Sequence, residues 1–449
     1  MAGSPAAVKQ QSALLSRLEE ARTRTDDLFK LLPPNSFYDR PIAERHRMIF
    51  YLGHLEAFDW NLLGPKLGLH PVDAGLSKLF AFGIDPVDGG LPTDVPSDWP
   101  TIAQVENYSR KLRAQLDQAL SDPDAMALAD REFGDTLLQV AIEHRLMHAE
   151  TLAYLLHSLP VDRKISQPAV AHDPATAPRQ YQVTIPEGLA TLGQARGIRG
   201  SFGWDNEFEV DRVNVVSFSV DVFPVSNGEY LKFVQAGGYE NSKYWSPEDW
   251  HWKQQQQLGH PHFWLRHSSS PVADPETKWQ YQGMFGVIPL PASWPVYVSH
   301  AEASAFTRWA GKKLPSEAQW HRAAYGTRRG TEYAYPWGST PPDASRGNFH
   351  HQRWEPTAVD AHPAGASAFG LFDLLGNGWE WTSTTFGPLP GFEPFPFYKG
   401  YSADFFDGKH LVIKGGSHRT DACMLRRSFR NWFQPHYPYI YTTFRCVEE

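Results

Sequence analysis

The sequence predicts an α+β protein in two parts, a four-helix bundle followed by an irregular domain of short strands and loops. Three observations carry this. Apolar residues recur with helical spacing up to about residue 158; a Pro- and Ala-rich break follows; and beyond it short β-like runs alternate with Gly, Pro and Asn turns. A chain of 449 residues has the length for two or three domains with real cores.

The first helix reads from Ser12-Ala13-Leu14-Leu15 through Leu28 and Leu31 and stops at Pro33-Pro34. Pro41 opens a second, which runs to about Leu63. Two more follow at roughly 101–122 and 127–158, the last ending at Ser158-Leu159-Pro160, with one long irregular connection near 70–100. Helices of this length predict a bundle over residues 1–160. Residues 161–180 read as a linker, and 181–449 as the second domain. There, Val210 to Val222 and Val296-Tyr297-Val298 read as strands, and Gly228 to Ala236 as a helix. Ser299 with Glu302 three residues on is a capping box opening a helix to Ala310.

Composition excludes several classes. Charged residues are 20% and the formal net charge is -8, which argues against a nucleic-acid footprint. No apolar run is long enough to cross a bilayer, and the start Met1-Ala2-Gly3-Ser4-Pro5 has no signal-peptide core. Cys423 and Cys446 are the only cysteines, so no disulfide scaffold is expected and a reducing cytoplasm is the expected compartment. Aromatics reach 14%, with 16 Trp, and concentrate after about residue 200, where some are expected to line a binding cavity.

The candidate chemistry lies in the bundle. His144 and His148 stand four apart in Glu143-His144-Arg145-Leu146-Met147-His148. Imidazoles at i and i+4 project from one helical face and can grip one metal ion. His54, in Phe50-Tyr51-Leu52-Gly53-His54, is the third candidate, although His46, eight residues earlier, could share its face. A third imidazole from a neighbouring helix would leave the other metal positions open for substrate and dioxygen. A His pair at this spacing is also common in helices that bind nothing.

Five words of the second domain resemble the formylglycine-generating-enzyme (sulfatase-modifying-factor) family, a C-type-lectin-like fold. They are Pro224-Val225-Ser226-Asn227-Gly228, Leu314-Pro315-Ser316-Glu317-Ala318-Gln319-Trp320, Gly376-Asn377-Gly378-Trp379-Glu380-Trp381, Lys414-Gly415-Gly416-Ser417 and Phe444-Arg445. The first domain resembles DinB-like bundles. Joined in this order, the two look like the EgtB-like nonheme iron enzymes of ergothioneine biosynthesis. That resemblance implies that His54, His144 and His148 hold Fe(II), that O2 is a co-substrate, and that the substrate is hercynine. The cysteine pair that formylglycine-generating enzymes need after Gly-Gly-Ser is missing, since His418-Arg419-Thr420-Asp421-Ala422 stands there with a single Cys423 beyond.

By the same resemblance Asn431 and Trp432 contact hercynine, and Glu150 joins them. The loop Phe392 to Tyr401 places Phe395 at a catalytic tyrosine position and Tyr398 at a substrate-contacting one, so Tyr398 and Tyr401 are the proton-donor candidates. Family members that use γ-glutamylcysteine carry an arginine pair after helix two and an acid after Asn-Trp. Here the connection Leu79 to Gly90 has no Arg, and the acid position is Phe433. A neutral, sugar-like donor fits better, which points to the selenoneine-synthase (SenA-type) branch, joining a selenosugar to C2 of the hercynine imidazole. Alternatives are a sulfoxide synthase using γ-glutamylcysteine or cysteine, with Arg45, Arg47, Arg419 or Arg426 holding a carboxylate, and a non-catalytic lectin-like binding module. Asp and Asn residues near 373–377 could hold Ca2+. Oligomeric state is not legible.

Overall fold

A computed structural model of the chain describes residues 5–81, 91–122, 135–168, 175–198, 201–266 and 279–449, with side chains from residue 11 onward. It divides into two compact units, Met1–Pro168 and Ala169–Glu449. No helix among the described residues is long and apolar enough to cross a membrane.

The first unit is helical: α1 (Pro5–Phe29), α2 (Met48–Leu63), the short α3 (Ala74–Leu79), α4 (Ile102–Leu120) and α5 (Thr136–Ser158). α1 packs on α5, α2 on α4, and α2 on α5. α4 shows why such a segment becomes a helix. Thr101 caps it, accepting from the Gln104 N–H while Gln104 reaches back to the Thr101 N–H, and its apolar stripe Val105, Tyr108, Leu112, Leu116 is buried. α2 and α5 are buried almost all round, as befits the two central helices.

The second helix begins seven residues later than Pro41 suggests. The segment before Met48 is drawn into turns: the Met48 N–H donates to Asp39 O, Ile49 N–H to Phe37 O, and the Arg47 guanidinium to Tyr38 O and Asp94. These bonds outweigh the helix-start signal of a single proline. The fourth helix is described only from Thr136, so its proposed start at 127 lies outside the described residues.

The second unit holds four small sheets and four helices among its described residues. The strands are β1 (Gln182–Ile185), β2 (Gly188–Leu192), β3 (Asp211–Val215), β4 (Phe218–Asp221), β5 (Trp264–Arg266), β6 (Trp279–Gln282), β7 (Val287–Pro289), β8 (Trp379–Thr385), β9 (Leu411–Lys414), β10 (Asn431–Phe433), β11 (Thr442–Thr443) and β12 (Val447–Glu448). They pair in the orders β1-β4-β12, β2-β3, β5-β6-β7 and β10-β9-β8-β11. In the last sheet β10 is an edge strand, with Asn431 opposite Ile413 and Phe433 opposite Leu411. The helices are α6 (Asn227–Gln235), α7 (Pro247–Gln255), α8 (His300–Ala310) and α9 (Glu317–Tyr325). α8 has the expected Ser299/Glu302 capping box, whereas α7 and α9 were not expected from periodicity. Both start at a serine cap, Ser246 and Ser316, and α9 carries the further signal of Gln319 three residues on. Val296 to Val298 is extended but forms no ladder, because its N–H groups go singly to Val225 O and Thr442 O. Trp320, Leu371, Leu374, Phe349 and Val220 centre the main core. Cys423 and Cys446 are not joined in a disulfide, and the second is buried.

Candidate metal centre

α2 and α5 bring three histidines together. His54, His144 and His148 are all buried, and one candidate ligand nitrogen from each lies within 4.8 Å of the others. Ring centroids are 5.5 Å apart for His54 and His144, 5.0 Å for His54 and His148, and 4.4 Å for His144 and His148. The i,i+4 spacing stacks the α5 pair on one face, and α2 supplies the third ring across the helix pair.

The orientation of His54 has a visible cause. Its Nδ1–H donates to the Phe80 carbonyl at 2.8 Å, which fixes the tautomer and leaves Nε2 as the ligand atom. Phe80 can approach because residue 53 is glycine; a Cβ there would stand 2.5 Å from the Phe80 ring. Aromatic rings enclose the rest. Phe58 stacks on His144 with centroids 3.4 Å apart, and Phe50 stacks on His54 at 4.8 Å.

Burial lowers the pKa of all three imidazoles, to about 4 for His54 and well below the usual value for His144 and His148, where the neighbouring rings add to the effect. They are neutral at pH 7, the form that binds metal. His144 Nδ1 and His148 Nδ1 are buried without a hydrogen-bond partner, a state that a buried polar atom keeps only when something else satisfies it. Three neutral imidazoles in an aromatic-walled site fit a divalent transition metal such as Fe(II). His46 is not in the group; it precedes α2 and lies tilted against Phe50, ring centroids 4.1 Å apart.

A pH dependence follows with a definite sign. An unfolded histidine titrates near 6.5 but buried His54 near 4, so between these values the unfolded chain binds more protons and stability falls as pH falls. His54 alone is expected to cost the metal-free protein about 3 kcal/mol by pH 4. Urea midpoints of the metal-free protein should drop steadily from pH 6.5 to 4, and a flat profile for the native chain would contradict the buried neutral triad.

The other expected site residues are arranged differently. Glu150 is half-buried on α5, about 200° round the helix from His148, and is not one of the grouped metal-ligand residues. Asn431, Trp432, Phe433, Phe395, Tyr398 and Tyr401 all lie in the second unit. Trp432 stacks on Phe386 at 4.2 Å and meets the Tyr401 edge at 5.5 Å. Tyr401 is buried and stacked on Trp204 at 3.9 Å, with Phe395 on the same Trp204 at 6.4 Å, and Tyr398 is half-buried 5.5 Å from Tyr401. One aromatic cluster therefore contains Phe395, Tyr398, Tyr401 and Trp432. Strand alternation turns Asn431 and Phe433 to the opposite side, where Phe433 stacks on Tyr437 at 5.4 Å. Near residues 373–377, Asp373 and Asn377 are buried and bonded to each other at 2.8 Å.

Sequence reasoning missed the groups behind the triad. Phe80 and Phe58 gave no signal, being ordinary aromatics. Glu56, Asp59 and Arg145 did give one, as charges within the otherwise apolar central helices.

Two family models match the chain, the sulfatase-modifying factor enzyme 1-like domain over residues 167–449 and the DinB superfamily over residues 17–152. A hercynine oxygenase of Mycolicibacterium smegmatis is 34% identical over 354 residues, covering 77% of this chain and 76% of that protein. A hercynine oxygenase of Mycobacterium tuberculosis is 38% identical over 246 residues, 54% of this chain and 55% of that protein. The ergothioneine biosynthesis protein 1 of Neurospora crassa is 27% identical over 498 residues, 94% of this chain and 56% of that protein. The chain thus spans about half the length of the last two relatives.

Proposed function

Because this chain belongs to the EgtB-like family, in which a DinB-type helical domain precedes a sulfatase-modifying-factor-like domain, we propose that it is an enzyme acting on hercynine, with Fe(II) held by His54, His144 and His148 and O2 as co-substrate. The observation that carries this reading is the convergence of three buried, neutral imidazoles from two helices. Bound Fe(II) would supply the redox chemistry that couples O2 to carbon–chalcogen bond formation at C2 of the substrate imidazole.

The chain's own residues position, enclose and move protons. The Phe80 carbonyl holds the His54 ring, and Phe50 and Phe58 keep water from the imidazoles. A quaternary ammonium donates no hydrogen bond, so an aromatic face suits it, and Trp432, with Phe386 and Tyr401 against it, is assigned to that end of hercynine. Tyr398, half-buried, is the proton donor we favour over Tyr401, whose ring is sandwiched against Trp204. Phe395, buried on the same cluster, shapes the cage without a hydroxyl to give.

The donor we assign is a neutral selenosugar, which makes the product carbon–selenium bonded. Three of the four arginines that could clamp the two carboxylates of γ-glutamylcysteine are engaged elsewhere. Arg47 is bound to Asp94 and Tyr38 O, Arg426 to Glu207 and Cys423 O, and Arg419 donates to Arg353 O while lying 4.0 Å over Trp354. Phe433 offers no charge. Arg45, buried close to His148, is the candidate for hercynine's own carboxylate. The relatives named hercynine oxygenase support action on hercynine without naming the donor, and the second reading is a hercynine sulfoxide synthase using γ-glutamylcysteine or cysteine.

Competition separates the two. With hercynine and O2 supplied together with a selenosugar, γ-glutamylcysteine and cysteine, product masses should show the selenosugar preferred by about 100-fold, the value of about 3 kcal/mol in lost charge partners. Exclusive use of γ-glutamylcysteine would sink the neutral-donor assignment, and no product from any donor would sink the hercynine reading.

A further inference from the structure

We propose that Arg145, gripped by Glu56 and Asp59, is a positioning residue that sets the register of α2 against α5 and so holds His54 opposite His144 and His148. This rests on the reading of the triad as a metal site. Arg145 follows His144 directly on α5, and Glu56 and Asp59 follow His54 on α2 by two and five residues. The two helices that carry the ligands are therefore tied to each other immediately beside them.

The tie is specific in geometry. Arg145 Nε donates to Asp59 Oδ2 at 3.2 Å, and Nη2 to the same oxygen at 2.6 Å and to Leu55 O at 3.0 Å. Nη1 donates to Glu56 Oε1 at 3.1 Å and Thr25 Oγ1 at 3.4 Å. All five guanidinium N–H bonds are thereby engaged, with the residue 1% exposed, so Arg145 has nothing left to offer a substrate. The tie extends to the other two long helices. Arg113 of α4 binds Glu56 and, through two bonds, Asp26 of α1, and Arg22 of α1 lies 3.9 Å from Asp59.

This lattice is an expensive way to fill a helix interface. Asp59 and Glu56 are 0% and 2% exposed, and each keeps one oxygen, Asp59 Oδ1 and Glu56 Oε2, without a hydrogen-bond partner. Buried ion pairs of this sort are commonly no more stabilising than apolar side chains of similar volume. What a planar five-donor fork adds is a single permitted alignment. The triad demands one: a slip of one residue moves a ligand about 1.5 Å along the helix axis, against a tolerance of about 0.2 Å in metal–nitrogen distance. Apolar side chains would let the helices settle within that gap; the fork does not.

The test uses the full-length chain, freed of metal and titrated with Co(II), reading affinity by chelator competition and site geometry by EPR. The triple variant Arg145→Met/Glu56→Leu/Asp59→Leu replaces the Arg145 tie with apolar groups and leaves Arg113 on Asp26 and Arg22 on Asp117. It should melt within a few degrees of the native protein yet bind Co(II) about 10–100-fold more weakly, with an altered EPR signature. Arg145→Lys in the native background keeps the charge but not the fork, and should fall between the two. If the triple variant does not fold, Asp59→Asn, which leaves shape and burial intact, carries the same expectation in smaller measure. A folded triple or Asp59→Asn variant with native Co(II) affinity and spectrum overturns the proposal. A native protein that takes up no Co(II) overturns instead the metal reading beneath it.

Discussion

Replacing any one of His54, His144 or His148 with Ala is expected to abolish stoichiometric Fe(II) binding and to reduce turnover of hercynine by at least about a thousandfold. Among the described residues the group is three neutral imidazoles with no carboxylate, so none of these stands ready to substitute for a missing ring. Each variant leaves two imidazoles, either the i,i+4 pair of α5 or His54 with one ring of α5, and two neutral imidazoles hold Fe(II) only weakly. The control is His46→Ala. His46 lies outside α2 and tilted against Phe50, so its loss should leave metal stoichiometry unchanged. The metal-free triad variants should remain folded, because each removes a buried polar ring whose hydration was already lost. Anaerobic Fe(II) titration followed by single-turnover assay reads both halves. Retention of one Fe(II) per chain by all three variants would place the metal elsewhere.

The comparison of His54 with His46 shows how far the sequence was legible. Periodicity alone found the α5 pair, because i,i+4 spacing survives any error in helix boundaries. It could not choose between His46 and His54, because both fit one face of a helix imagined to begin at Pro41. The real helix begins at Met48, and what shortens it is tertiary: Asp39 O and Phe37 O take the Met48 and Ile49 N–H bonds that would have continued the helix backward, while Tyr38 O holds the Arg47 side chain. The overall α+β plan was legible because it depends on long stretches of pattern. The α7 and α9 helices were not, since each spans only nine residues in an aromatic-rich context and only the serine caps announce them. The cage candidates illustrate a second limit. A run such as Asn431-Trp432-Phe433 looks like one recognition word, but strand alternation sends its middle residue to one side and its ends to the other.

Arg445→Ala is expected to destabilise the second unit by about 3–5 kcal/mol, the range found when one partner of a buried ion pair is removed. Arg445 is 1% exposed and meets Glu380 through two bonds of 2.7 and 2.6 Å, while donating to Asp221 O, Val222 O and Phe372 O. Glu380, also fully buried, accepts in addition from Trp320 Nε1 at 3.0 Å. Three of the words that carry the family resemblance, Gln319-Trp320, Trp379-Glu380-Trp381 and Phe444-Arg445, thus converge on one carboxylate. Their shared task is to join α9, β8 and the Phe444-Arg445 segment, with every guanidinium donor satisfied. Removing the guanidinium strands a buried charge and three carbonyls together. In thermal unfolding the transition of this unit should fall by roughly 10 °C, and Arg445→Met/Glu380→Leu should recover a large part of that loss because it removes both charges. Metal uptake by the helical unit, measured below the new transition, should stay native. A variant that melts normally but loses iron would move this constellation from the scaffold into the chemistry.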